Sequence, residues 1–267
     1  MRLIKILYLC TTSVALTQQD DPQVSPREEL YVCYGKIPVE QISGYKLVVV
    51  EAAHYSGTEV KALKQQNEKV IAYISLTEVN RHAPFFNEMT PYLLGKNPNW
   101  NSYYLDIASS GVRHAIISLA LTYKAKEFDG LLLDTLDNAG PWGPLNHLEE
   151  ALHSLVRELA EQWSSPYLIQ NGGLFQKTLP TEGILLESVV SSYDFKTKIY
   201  TIRPAAEQEK LLNSLEKIEK DVFLLEYADT QLKRSEISET LKKRKIPYSI
   251  ANIELQGVPV FKENPKQ

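Results

Sequence analysis

Eight apolar runs, each five to seven residues long, recur along the chain and limit what it can fold into. They are YVCYG (31–35), KLVVVEA (46–52), VIAYISL (70–76), FDGLLLD (128–134), PYLIQN (166–171), ILLES (184–188), VFLLEYA (222–228) and PYSIAN (247–252). Runs this short and this continuously hydrophobic suit strands covered on both faces, as parallel strands are. Helical patterns fill most of the gaps, at 58–69, 110–127, 146–163, 204–220 and 235–245. In the third of these, Leu148, Leu152, Leu155 and Leu159 fall on one stripe, and Pro204 suits the first turn of the fourth. Strands alternating with helices imply right-handed βα units. Eight of them predict a single-domain (β/α)8 TIM barrel, for which 267 residues is an ordinary length. An open doubly wound sheet is the alternative arrangement of the same alternation.

The flanks read differently. Residues 1–15 have the layout of an export signal: Arg2 and Lys5, an apolar stretch from Leu3 to Leu16, and a small-residue cleavage site at Ser13-Val14-Ala15. The stretch is short for a membrane span, so the expectation is a secreted or periplasmic protein with no stable membrane insertion after cleavage. Residues 16–29 are polar and proline-bearing and read as a linker, leaving 30–260 for the barrel. Cleavage would leave Cys33 as the sole cysteine, in an apparent strand without a base partner, which predicts a buried thiol and no internal disulfide. The chain carries 29 basic and 33 acidic residues, and cleavage would remove two of the basic ones. That balance argues against a nucleic-acid partner, which demands a basic footprint. Segment 77–109, rich in Asn, Pro and aromatics, is long enough for an active-site loop.

Four of the apolar runs end in an acid: Glu51, Asp134, Glu187 and Glu226. In a parallel barrel all strands point one way, so these carboxylates collect at the rim where barrel enzymes place their chemistry. Side chains alternate along a strand, so Asp134 shares a face with Leu132, and Glu187 with Leu185. Their strands are separated by one neighbour, about 10 Å between axes, and inward-leaning side chains shorten that gap. Two carboxyl groups roughly 5–9 Å apart are what glycosidic bond cleavage requires, one protonating the leaving oxygen while the other attacks the sugar or activates water. Clustered acids also help to keep one of the pair protonated. Carboxylates after strands also serve as helix caps, and Asp137 fits either a cap or a contact to a sugar hydroxyl. Tyr34, Tyr73, Tyr193 and Tyr227 lie in or just after strands, and Trp100 and Trp142 in loops, where aromatic faces can meet sugar C–H faces. No HExxH, Cys/His cluster, GxSxG elbow, P-loop or dinucleotide fingerprint occurs, so no metal or cofactor is expected.

Several motifs together resemble one family: VIAYISLTEV (70–79), YYLDIASSGVR (103–113) and FDGLLLDTLD (128–137), with LIQNGG (168–173) and LLES (185–188) as weaker support. The chain resembles, from about residue 31 to 252, the endo-α-1,4-polygalactosaminidases of glycoside hydrolase family 114, which are (β/α)8 barrels. The resemblance implies Asp134 as nucleophile and Glu187 as acid/base, acting on an α-1,4-linked, galactosamine-rich exopolysaccharide. Free amines on such a polymer would be cations, matching an acidic rim. The family's Ser-x-Gly-Glu after strand 3 stands here as Ser75-Leu76-Thr77-Glu78, with threonine stiffening the turn. Substrate contacts are expected from Tyr34, Glu51, Tyr73, Glu78, Asp137, Asn171, Glu226 and Tyr227. A barrel that binds polysaccharide without cutting it, or one that cuts a different glycan, is the rival reading.

Overall fold

Each of the eight apolar runs forms a strand in a computed structural model that describes residues 29–174 and 179–263. The strands are β1 (Leu30–Cys33), β2 (Leu47–Val50), β3 (Lys69–Ser75), β4 (Gly130–Asp134), β5 (Tyr167–Asn171), β6 (Gly183–Glu187), β7 (Asp221–Tyr227) and β8 (Tyr248–Ala251). They pair in that order, every neighbouring pair parallel. β1 lies beside β8, and Tyr34 N and Gly35 N both donate to Leu255 O just past β8, which draws the sheet into a barrel. The export signal and most of the linker predicted from the sequence lie outside the described residues.

The helical patterns give α1 (Gly57–Gln66), α2 (Ser110–Ala125), α3 (Glu149–Trp163), α4 (Ala205–Leu215) and α5 (Gln231–Lys242). α1 starts at a capping box: Ser56 Oγ accepts from Glu59 N while Glu59 accepts from Ser56 N. The predicted leucine stripe of α3 is buried, joined by Val156 and Trp163. Pro204 stands at the N-cap of α4, one place before the first turn. That helix stops at Leu215, and Lys220 beyond it donates to Gln170 Oε1, Leu179 O and Thr181 Oγ1. Gln170 faces outward from β5, where the described part of the β5–β6 connection has no helix to cover it. Lys220 and Thr181 satisfy its buried carbonyl instead. Among the described residues no helix is long and apolar enough to cross a membrane.

Strand alternation divides the apolar side chains into two sets. Leu132, Ile169, Leu185 and Leu225 fill the barrel interior with Leu47, Val49 and Ile71. Leu131 and Leu133 face outward and pack with the buried residues of α2 and α3, whereas Leu186 and Leu224 pack with those of α4 and α5. Cys33 is buried, as expected. The glycine of FDGLLLD is dictated by packing: a Cβ on Gly130 would lie 1.9 Å from Tyr167 O, so no other residue fits that close strand approach.

Two excursions rise from the strand ends. The 77–109 segment, expected as a loop, contains a three-stranded antiparallel sheet of Glu78–Asn80, Ser102–Leu105 and Leu93–Asn97, with the second of these in the middle. After β6, Ser191–Asp194 pairs antiparallel with Ile199–Ile202 as a hairpin. Its turn is closed by Asp194 Oδ1, which accepts from Lys196 N and Thr197 N.

Candidate active site

Asp134 and Glu187 end β4 and β6 on the same side of the sheet as Leu132 and Leu185, so both look into the barrel mouth. Asn171, ending β5 between them, joins the two: its Nδ2 donates to Asp134 Oδ1 and to Glu187 Oε1, each at 2.8 Å. The bridged oxygens therefore stand no further apart than twice 2.8 Å. Each carboxylate takes a phenol on its other oxygen. Tyr73 Oη donates to Asp134 Oδ2 at 2.8 Å, and Tyr227 Oη to Glu187 Oε2 at 2.6 Å. Tyr73 lies in mid-strand, yet its parity with Ile71 turns it inward, and its ring packs 4.4 Å from that of Tyr34.

The electrostatics follow from this enclosure. Burial raises the pKa of Asp134, and the charge of Glu78 adds to the rise, while hydrogen bonds from Tyr73, Thr135 N and Asn171 oppose it. Burial also raises Glu187, opposed by Tyr227 and Asn171 and reinforced by the charges of Asp134 and Asp137. The Glu187 side chain is nevertheless exposed to solvent. Burial first, then the nearby carboxylates, holds the phenols of Tyr34, Tyr73 and Tyr227 protonated and available as donors.

Around the pair the backbone is tightly specified. Thr135 adopts φ 65°, a left-handed conformation unusual for a β-branched residue. Its hydroxyl donates to Asp134 O, lies 3.1 Å from Ser75 Oγ and accepts from Thr77 N, so three neighbours hold the strained turn beneath Asp134. Thr77, where the family pattern has glycine, uses its side chain. Its hydroxyl donates to Thr135 O at 2.8 Å and accepts from Asn138 Nδ2 at 2.9 Å. Asp137 is exposed and accepts from Gly173 N at 3.0 Å, so it braces the Gly172-Gly173 turn. Gly172 has φ +62°, and a Cβ there would lie 2.6 Å from Asp137 Oδ2.

The remaining expectations divide. Glu51 stands close enough to Tyr34 for its charge to help keep that phenol protonated, and Glu51 also caps the turn Ala52–His54 by accepting from Ala53 N at 3.4 Å. Glu78 is buried and accepts from Asn97, Ser102 and Asn138 side chains, which ties the inserted sheet to the mouth and leaves it as a brace beside Asp134. Glu226 is a correction. It is fully buried on the outer face with Leu224 and accepts from Val189 N, Val190 N, Ser191 N and Ser191 Oγ, so it is not a substrate contact. Asn138 and Thr135 escaped the sequence reading; both sit within DTLDN beside Asp134, where ordinary turn residues give no distinguishing signal. Among the described residues no group of three or more His, Cys, Asp or Glu is arranged to hold a metal ion.

The fold is similar to that of solved glycoside hydrolases. The glycoside hydrolase domain of PelA from Pseudomonas aeruginosa aligns with a TM-score of 0.75 at 22% identity, over 87% of this chain and 97% of that one. Ega3 of Aspergillus fumigatus, solved in complex with galactosamine, aligns with a TM-score of 0.67 at 15% identity, over 85% and 91% of the two chains. An α-amylase from Geobacillus thermoleovorans shares the architecture more distantly, with a TM-score of 0.53 at 11% identity over 81% and 62%. No curated protein matches the chain. At these identities the likeness establishes the barrel fold, and the sequence itself carries the assignment further. The model of glycoside-hydrolase family GH114 matches residues 13–265, and the protein belongs to that family of glycoside hydrolases.

Proposed function

We propose that this glycoside hydrolase cleaves an α-1,4-linked, galactosamine-rich polysaccharide by a retaining, two-carboxylate mechanism, with Asp134 as nucleophile and Glu187 as acid/base. One observation carries the reading: Asn171 Nδ2 holds an oxygen of each carboxylate at 2.8 Å. That ceiling of twice 2.8 Å on the two bridged oxygens favours the about 5–5.5 Å of retaining enzymes over the about 6.5–9.5 Å by which inverting enzymes separate their carboxyl groups to admit water. Asp134 accepts from Tyr73, Thr135 N and Asn171, donors that favour its ionised form and so a nucleophile's role. Glu187 accepts from two side chains, faces solvent and feels the charge of Asp134, which favours a proton carrier.

In the first step an Asp134 oxygen bonds to the anomeric carbon as the glycosidic C–O bond breaks, and Glu187 gives its proton to the departing oxygen. In the second, water attacks the same carbon, Glu187 takes the water's proton, and the ester to Asp134 is released. One water and one linkage yield a reducing end and a free hydroxyl. The substrate class rests on family membership, on the galactosamine bound by Ega3, and on the acids gathered at the mouth, which would attract ammonium groups.

The test is NMR of the first product released from an α-1,4-galactosamine oligomer, alongside product masses from acetylated and deacetylated polymers. Retention predicts the α-anomer first. Initial release of the β-anomer would remove Asp134 as nucleophile, and intact polymer in both arms would remove the substrate assignment.

A further inference from the structure

We propose that the hairpin after β6 and the tip of the inserted sheet together form an aromatic shelf that binds sugar units of the chain beyond the cleaved linkage. The inference rests on the reading of the site as a polysaccharide hydrolase and extends it to residues that do not touch the reacting bond. Trp100 occupies the turn between two strands of the inserted sheet, and Phe195 the turn of the hairpin. These turns belong to excursions that follow β3 and β6, yet the two rings meet edge-on, 5.1 Å between centroids. Phe195 continues to Tyr193 at 5.1 Å and Tyr193 to Tyr200 at 4.7 Å. Tyr193 and Tyr200 pack onto the interior apolar cluster that includes Tyr227, the phenol bonded to Glu187. A line of four rings thus runs from the interior apolar cluster out to solvent.

At its outer end the line is open. Trp100 is 52% exposed and Phe195 46%, although each already touches another ring. Rings held on hairpin tips with faces left to water fit the C–H faces of pyranose units, and they need no charge to do so. The shelf is also pre-positioned. Glu226 gathers the N–H groups of Val189, Val190 and Ser191 at the root of the hairpin, and Tyr200 Oη accepts from Ile253 N on its return strand. Ordering cost on binding is therefore low, as expected where aromatic anchors sit on fixed supports. The occupant that matches is a glycan already threaded through the mouth, since the hairpin that carries the rings follows directly on the strand that ends in Glu187.

The experiment uses the full chain carrying Glu187→Gln, which removes cleavage from the measurement, in affinity gel electrophoresis with a partially deacetylated α-1,4-galactosamine polymer. Adding Trp100→Ala and Phe195→Ala should weaken retardation about tenfold, and Trp100→Tyr, which keeps a ring face, should restore much of it. Equal retardation with and without the rings overturns the shelf, and so does a parent protein that the polymer does not retard. Release of reducing ends by the unsubstituted chain is measured separately. It decides whether the site hydrolyses this polymer whatever the outcome for the shelf.

Discussion

The ends of β6 and β7 are spelled almost alike, ILLE and FLLE, and the structure sends their glutamates in opposite directions. Glu187 pairs in register with Leu225, an interior residue, so Glu226 lies one step beyond and points outward. A one-residue offset reverses every side chain on a strand. Glu187 then opens to the mouth, while Glu226 meets three backbone N–H groups and a serine hydroxyl in a sealed outer layer. The inward position past Leu225 goes to Tyr227, whose hydroxyl binds Glu187. Parity alone therefore decides whether a carboxylate at a strand end reaches the mouth or becomes an internal brace.

The largest test of that contrast is Glu187→Gln with its partner Asp134→Asn. Each should lower turnover by at least about 1,000-fold with unfolding temperature nearly unchanged, as reducing-end release and calorimetry would read. Glu226→Ala should reverse the pattern, since it strands buried donors. The expected loss is on the order of 3 kcal/mol of stability in denaturant unfolding. Should Glu226→Ala instead keep its stability and lose turnover as deeply as Glu187→Gln, the contrast between the two strand ends collapses.

Smaller substitutions sharpen the mouth's own symmetry. Tyr227→Phe removes a donor that favours the ionised form of Glu187, so its pKa should rise and the alkaline limb of the pH–rate profile should move up. Tyr73→Phe does the same to Asp134, which the proposed displacement needs ionised, so the acid limb should move up. In each, turnover at the optimum should fall about tenfold, and a profile that does not move would detach that phenol from its carboxylate. Thr77→Gly should have the smallest effect, about 1 kcal/mol of stability, because it deletes the bonds to Thr135 O and Asn138 while loosening the turn.

The barrel was legible because parallel strands buried on both faces need near-continuous apolar runs, and each of the eight runs became a strand. Parity could be counted where a glycine or an acid broke the run, as at Gly130 and Asp134, and both carboxylates of the bridged pair came out facing the mouth. It could not be counted in VFLLEYA, where both faces are apolar or aromatic and either register looks equally good. Glu226 was misplaced for that reason. The inserted sheet and the hairpin were missed because their strands are three to five residues long and their registers are set by turns, not by a hydrophobic face. Asn171 gave no sign of its bridging role, since an asparagine at a strand end is ordinary until its neighbours are known.

The single amide nitrogen of Asn171 acts as a caliper. With both of its hydrogens committed, one to each carboxylate, the gap between Asp134 and Glu187 is limited by the reach of one nitrogen. Shortening that side chain to alanine would release both jaws at once and leave two enclosed carboxylates with no donor between them.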